Sequence, residues 1–241
     1  MLNFFRKIRK SFLTRGSFQK YFLYAIGEIA LVVIGILIAL QINNWNEWKQ
    51  ERVKEKEVLH SLAENLENNI KELENISSVN ERGTQSAMVI MDVLENKRPY
   101  EDSLVQHFGY ALNIYDSGEK LSLIGYESLK NTGIDIIQNK ELKNRIINLY
   151  ESVFESSKGR LDRNGKMYMD IINIRQDRFL RRPGFRFEPF NYDQLLRDDY
   201  FYSWLVTISD NRSWANSSVN KSLEVAREVL QAINVELKEF D

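Results

Sequence analysis

Residues 21–42, YFLYAIGEIALVVIGILIALQI, constrain what this chain can fold into more than any other stretch. Their 22 positions hold one ionisable residue, Glu28, and no proline. As a helix rising about 1.5 Å per residue they reach about 33 Å, enough to cross a hydrocarbon core of about 30 Å. A helix buried in a soluble core can be as apolar, but it is seldom this long or flanked so unevenly by charge. The stretch reads as a transmembrane helix.

The flanks give its orientation. The formal charge of −1 hides an asymmetry: residues 1–20 carry six basic side chains (Arg6, Lys7, Arg9, Lys10, Arg15, Lys20) and no acid. The other 27 basic residues follow residue 42, against 33 acidic ones. Basic residues beside a span stay on the cytoplasmic side, so the N-terminus is expected inside and the remainder outside. A cleaved signal peptide fits poorly, because the apolar run is too long and no A-x-A-like site closes it. The aromatic residues Tyr21 and Tyr24 at one end, and Trp45 and Trp48 at the other, suit the two membrane–water interfaces. Residues 2–14 place Leu2, Phe5, Ile8 and Phe12 at helical spacing among the basic residues. Such a segment can lie on an anionic leaflet or simply set the orientation.

Four regions are expected: a basic amphipathic segment at 1–20, the transmembrane helix at 21–42, a stalk and first bundle helix at 43–98, and the rest of an outer domain at 99–241. The fold class is all-α, with the span continuing into the stalk and then an antiparallel helical bundle. Three prolines and eleven glycines among 241 residues favour long helices. Leu59, Leu62, Leu66, Ile70 and Leu73 follow helical spacing, with a bend possible near Ser77, Ser78 and Gly83. Lys97, Arg98 and Pro99 end the run.

Two shorter helices are read at 101–116 and 119–131, with Gly133 as a C-terminal cap. A longer one starts at the capping residue Asn139 and runs to about Leu180. After a loop through Pro183, Gly184 and Pro189, a short helix covers 192–208. The last helix carries Val219, Leu223, Ala226, Leu230, Ile233, Leu237 and Phe240 by fours and threes, a seam made to meet other helices. No strand is read. Cysteine is absent, which excludes disulfides and thiolate chemistry.

FFRKIRK followed by KYFLYAIGEIALVVIGILIALQINNWNE resembles the N-terminal anchor of a family of uncharacterised bacterial membrane proteins. YESLKNTGIDIIQNKELKNRIINLY is similar to that family's second recognisable block. The resemblance implies an inner-membrane anchor and a periplasmic helical domain, and it brings no catalytic residue with it.

Few residues invite chemistry. Glu28 lies about 10 Å inside the cytoplasmic edge of the span, where a charge is costly and usually meets a partner, a wet cavity or a proton. Glu28, Val32, Gly35 and Ala39 share a stripe. Gly35-x-x-x-Ala39 is a small-residue pair that lets a second helix approach. The readings are a structural hydrogen bond in an oligomer, a protonated or snorkelling acid, or an ion-linked carboxyl.

Arg178, Arg181 and Arg182 sit in an arginine- and phenylalanine-rich stretch that includes Arg175 and Arg186. They form either a salt-bridged face or a contact for an anion or lipid headgroup. Asp162 to Lys166 lacks the ligand ladder of a calcium loop. His60 and His107 have no metal-ligand spacing. Tyr200, Phe201, Tyr202, Trp204 and Trp214 read more readily as core than as a binding patch.

The expected function is non-enzymatic: a membrane-anchored interaction module, either scaffold or accessory subunit of an envelope complex. Alternatives are a sensor relaying through the span, or a subunit of an ion-linked machine using Glu28. Expected partners are membrane lipids and a second copy or other envelope membrane proteins, without nucleic acid, metal or cofactor.

Overall fold

The computed structural model describes residues 18–113, 121–166, 168–184 and 186–240. The amphipathic segment read at 2–14 and the break read near Asp116 lie outside them. The chain divides into two compact units, residues 1–54 and 55–241.

A single helix, α1 (Phe18–Glu95), supplies the described part of the first unit and the first element of the second. It ends where Lys97 adopts a positive φ of 48° and the Arg98 amide closes onto the Val93 carbonyl. No bend interrupts it at Ser77, Ser78 or Gly83. Ser77 and Gly83 are buried in the packing instead, while Ser78 is exposed.

In the first unit the apolar side chains stand in the open. Leu31, Val32, Val33 and Ile34 are 74%, 58%, 46% and 54% exposed. Four successive residues at about 100° each cover every side of a helix, so no face is reserved for water. Phe22–Glu95 includes a window apolar enough, by length and composition, to cross a membrane.

The second unit is a helical domain with its own core. After α1 come α2 (Leu104–Ala111), α3 (Ile124–Thr132), a 3₁₀ turn (Ile134–Ile136) and α4 (Lys140–Asn148). A π-helical stretch (Leu149–Phe154) leads into α5 (Glu155–Lys166), and α6 (Tyr168–Arg178) follows. Thus the helix expected from Asn139 to Leu180 is a sequence of helical pieces. α5 runs straight through Gly159.

Leu180 belongs not to a helix but to a strand. β1 (Phe179–Arg182) pairs antiparallel with β2 (Arg186–Pro189), with Phe179 opposite Pro189 and Arg182 opposite Arg186. Gly184 supplies the turn with a φ of 77°. The hairpin buries Phe179 and Phe187 to 3% and 2% exposure. Four-residue strands rich in arginine carry too little alternation to be read from sequence.

α7 (Tyr192–Leu195) is one turn, and α8 (Asp199–Leu237) then runs 39 residues. The expected short helix at 192–208 is therefore mostly the start of the final helix, which begins well before Val219. Asp198 caps it by accepting from the Phe201 amide at 2.9 Å.

α1 and α8 lie antiparallel. Arg227 pairs with Glu74, Ser77 with Asn220, Asn216 with Glu81 and Tyr202 with Glu95. Two apolar clusters flank this pair at different heights. One joins Leu59, Leu62, Leu66, Leu73 and Ile76 to Leu142, Ile146, Leu149, Phe154, Val219, Ala226 and Ile233. The other joins Ala87, Ile90 and Leu94 to Phe108, Ile171, Phe179, Phe201, Trp204 and Ile208. Fully burying one such leucine or phenylalanine contributes about 1.5–3 kcal/mol. On α1 and α8 the inward residues between the clusters are polar or lack a side chain: Ser77, Asn80, Gly83 and Ser86 against Ser209, Arg212 and Asn216. All seven face inward.

Candidate functional site

The polar layer is the site that sequence reading missed. Arg212 has only 2% of its surface exposed. It lies on the buried stripe of α8 formed by Phe201, Leu205, Ile208, Ala215 and Val219. Space for its guanidinium exists because residue 83 is glycine: a β-carbon there would lie 2.6 Å from Nη1. One nitrogen, Nη2, donates to the Asn113 carbonyl. The other, Nη1, is buried without an acceptor among the described residues, and so is Nδ2 of Asn80, one turn earlier on α1. Glu81 is turned elsewhere, accepting from Ser77 at 3.3 Å and from Asn216 at 3.2 Å. Burial pushes the Arg212 guanidinium down to about 10, and repulsion from Arg175 adds to the effect. Among the described residues no carboxylate acts on it, and taking an ion out of water costs several kcal/mol.

A second polar network clamps the segment that precedes α4. Asn65 donates to Ser122 Oγ at 2.8 Å, and Asn69 exchanges hydrogen bonds with the Ser122 backbone at 2.8 and 2.9 Å. Tyr150 donates to Asn65 and stacks on Tyr126, ring centroids 4.7 Å apart and 5° from parallel. Tyr126 in turn donates to Glu151 at 2.7 Å. Burial drives the phenols of Tyr126 and Tyr150 above their ordinary range, with the Glu151 carboxylate adding to the shift at Tyr126. Both stay neutral donors.

Further along, Gly133 turns the chain with a φ of 104°. Gln138 donates its amide to the buried Glu55 at 2.9 Å. Asn139 caps α4 by accepting from the amides of Glu141 and Leu142 and donates to Glu236 at 2.7 Å. The block YESLKNTGIDIIQNKELKNRIINLY is thus a set of backbone clamps, and it forms no convergent reactive group.

The residues singled out from sequence fall in three places. Glu28 is half-buried and Gly35 has nothing within 4 Å of an added β-carbon. Ala39 is exposed beside it. Glu28 and Tyr24 each take part in an interaction within the structure. Trp45 and Trp48 are 59% and 50% exposed, and Lys49 lies 5.7 Å over the Trp45 ring. Tyr21 lies in α1, its side chain outside the described ones.

The arginine cluster is largely paired. Arg178 meets Asp198 at 2.6 Å with both side chains about four-fifths buried, and Arg182 meets Glu188 at 2.7 Å in the open. Burial by itself would raise the Asp198 carboxyl. Arg178 and the Phe201 amide outweigh that and hold it below the usual carboxylate range. Arg181, engaged elsewhere, lines a cavity of about 350 Å³ with Arg175, Phe179 and Phe187.

The late aromatic group divides, with Phe201 and Trp204 in the core and Tyr200 and Trp214 exposed. Arg160 and Arg163 stack on Trp214 at 4.4 and 4.8 Å. His60 is exposed and His107 meets Ser86 Oγ at 3.2 Å. Among the described residues no group of acids and histidines is arranged to hold a metal ion.

A family model described as a family of unknown function, DUF6090, matches residues 28–182, and the chain belongs to that family. No curated protein and no solved structure matches the chain. The matched region contains Glu28, Asn80, Gly83 and the clamped block, and stops before Arg212.

Proposed function

We propose that this member of a family of unknown function is a single-pass, membrane-anchored interaction module without catalytic activity. It serves as a scaffold or accessory subunit of an envelope complex. Residues 21–42 cross a bacterial inner membrane with the N-terminus in the cytoplasm, and residues 55–241 fold in the periplasm. The observation that carries this reading is the contrast between the two units. In the first, Leu31, Val32, Val33 and Ile34 are exposed on every side of the helix; in the second, the apolar residues of α1 are buried in a core of its own. Lipid accommodates the former, and the charge asymmetry across the span sets its direction.

Within the bilayer, Glu28 and the Gly35–Ala39 stripe form the contact face for a second helix, from another copy or an envelope membrane protein. A carboxyl in hydrocarbon gains from a donor across such a face, and glycine lets the backbones approach.

The test is the native mass of the full-length protein, extracted in mild detergent from its own host at natural abundance. Wild type is expected to run as a defined complex and Glu28→Ala as a smaller species. A bare monomer in both removes the scaffold reading.

A further inference from the structure

α6 and the hairpin that follows it frame a cavity of about 350 Å³. Its described lining is Ile172, Arg175 and Gln176 of α6, Phe179 and Arg181 of β1, and Phe187 of β2. Strand alternation brings these residues together. Successive side chains on a strand take opposite faces, so Phe179 and Arg181 share one face while Leu180 and Arg182 take the other. Phe187 stands opposite Arg181 in the register and joins the first face. The floor is therefore apolar, built on two phenylalanine rings that are almost wholly buried. Arg175 lies 5.1 Å over the Phe187 ring. No described acid lines the cavity. Arg175 and Arg181 are both engaged within the structure, but a guanidinium carries five N–H donors and can serve a ligand as well as a neighbour.

We infer that this cavity binds a small organic carboxylate with an apolar body, of about the size of phenylacetate. Phe179, Phe187 and Ile172 take the apolar body, and Arg175 and Arg181 take the carboxylate. Small-molecule sites combine a mostly apolar wall with a few convergent polar groups, and arginine meets a carboxylate with two parallel N–H···O bonds. A bare anion leaves the rings uncovered, and a neutral aromatic gains nothing from the arginines. Of the three arginines that the sequence offers as anion contacts, Arg181 alone has this role. Arg178 and Arg182 are held by Asp198 and Glu188. The site needs nothing from the apolar segment of α1, so it stands or falls apart from the anchoring reading.

The experiment is fluorine NMR of para-fluorophenylacetate with the full-length protein in a non-ionic detergent at neutral pH, with protein-free micelles as the blank. The protein is expected to broaden the fluorine line beyond the blank. Phenylacetate should displace the probe, whereas acetate and benzyl alcohol at the same concentration should not. Arg181→Met keeps the aliphatic stem and should weaken binding by about tenfold or more, the loss of a charge-assisted hydrogen bond. Arg182→Met removes the same charge from the other face of the strand and should bind as wild type does. Gln176→Glu places an acid at the cavity without changing its size, and should weaken binding as Arg181→Met does. If Arg181→Met does not fold, Gln176→Glu carries the test, because residue 176 is exposed on α6. No broadening beyond the blank overturns the inference, as does equal displacement by acetate or benzyl alcohol. So does an equal loss in Arg181→Met and Arg182→Met, or unchanged binding in Gln176→Glu.

Discussion

Gly83 and Arg212 fit together as absence and bulk: a β-carbon on residue 83 would meet Nη1 of residue 212 at 2.6 Å. Helix propensity alone favours alanine over glycine at an interior position by about 1 kcal/mol. Overpacking at this site opposes it by about 1–3 kcal/mol. Gly83→Ala is therefore expected to destabilise the domain, whereas in an Arg212→Ala background the same change should be neutral or stabilising. Denaturant unfolding of the four chains gives the coupling directly. Additive effects would show that the two residues do not share the space.

Asn139 joins two tasks, capping α4 and holding Glu236 near the end of α8. Asn139→Ala should cost about 1–2 kcal/mol, seen as a lower denaturation midpoint. Asn139→Asp keeps the cap acceptor but places a second acid against Glu236. It should fall between wild type and alanine at neutral pH and recover in acid. Equal stability of all three proteins would exclude both roles.

The ion pair of Arg178 and Asp198 gives a pH dependence whose sign is fixed. The folded Asp198 carboxyl titrates below its unfolded value. Its contribution is complete above an unfolded value of about 3.9 and is lost as pH falls through the lowered folded one. Arg178→Ala should lower stability at pH 7, by about 1 kcal/mol for a partly screened pair, and shrink the acid-side loss. Parallel pH–stability curves for variant and wild type would contradict the assignment.

In the apolar segment, Glu28→Gln retains a hydrogen-bonding amide while Gly35→Leu fills the contact face. Crosslinking in native membranes should be preserved in the first and reduced several-fold in the second. Unchanged yields in both variants would exclude the stripe as a contact.

The sequence made the long members of the fold legible, and the reasons are local. Leu59, Leu62, Leu66, Ile70 and Leu73 repeat at helical spacing and are all buried, as are Val219, Leu223, Ala226 and Ile233. Asn139 announces its helix through side-chain chemistry, and Lys97, Arg98 and Pro99 mark the true end of α1. The start of α8 was illegible because Arg212, Asn216 and neighbouring serines interrupt the apolar stripe. Read straight through, the stripe passes over Arg212 at a core position, which is the one signal that could have exposed the polar layer. The hairpin at 179–189 was hidden for a different cause. Its order comes from Phe179 docking against Phe108 and Phe201, contacts distant in sequence, with Phe187 edge-on to Phe179.

The same limit applies to the arginine stretch. Type and spacing gave Arg178, Arg181 and Arg182 equal standing as anion contacts. Surroundings separate them: Asp198 and Glu188 pair with the first and third, and Arg181, engaged as well, lines a cavity with Arg175. Partners lying up to 20 residues away decide the matter.

The central claim is that residues 21–42 cross a bilayer and leave residues 55–241 on its outer side. Alkaline carbonate extraction of host membranes, followed by protease treatment of cells with opened outer membranes, tests it most directly. The account predicts that the full-length protein stays in the membrane pellet and that protease added from the periplasmic side removes the domain, leaving a short N-terminal fragment. Release into the carbonate supernatant, or a domain digested only after the inner membrane is broken, would contradict it.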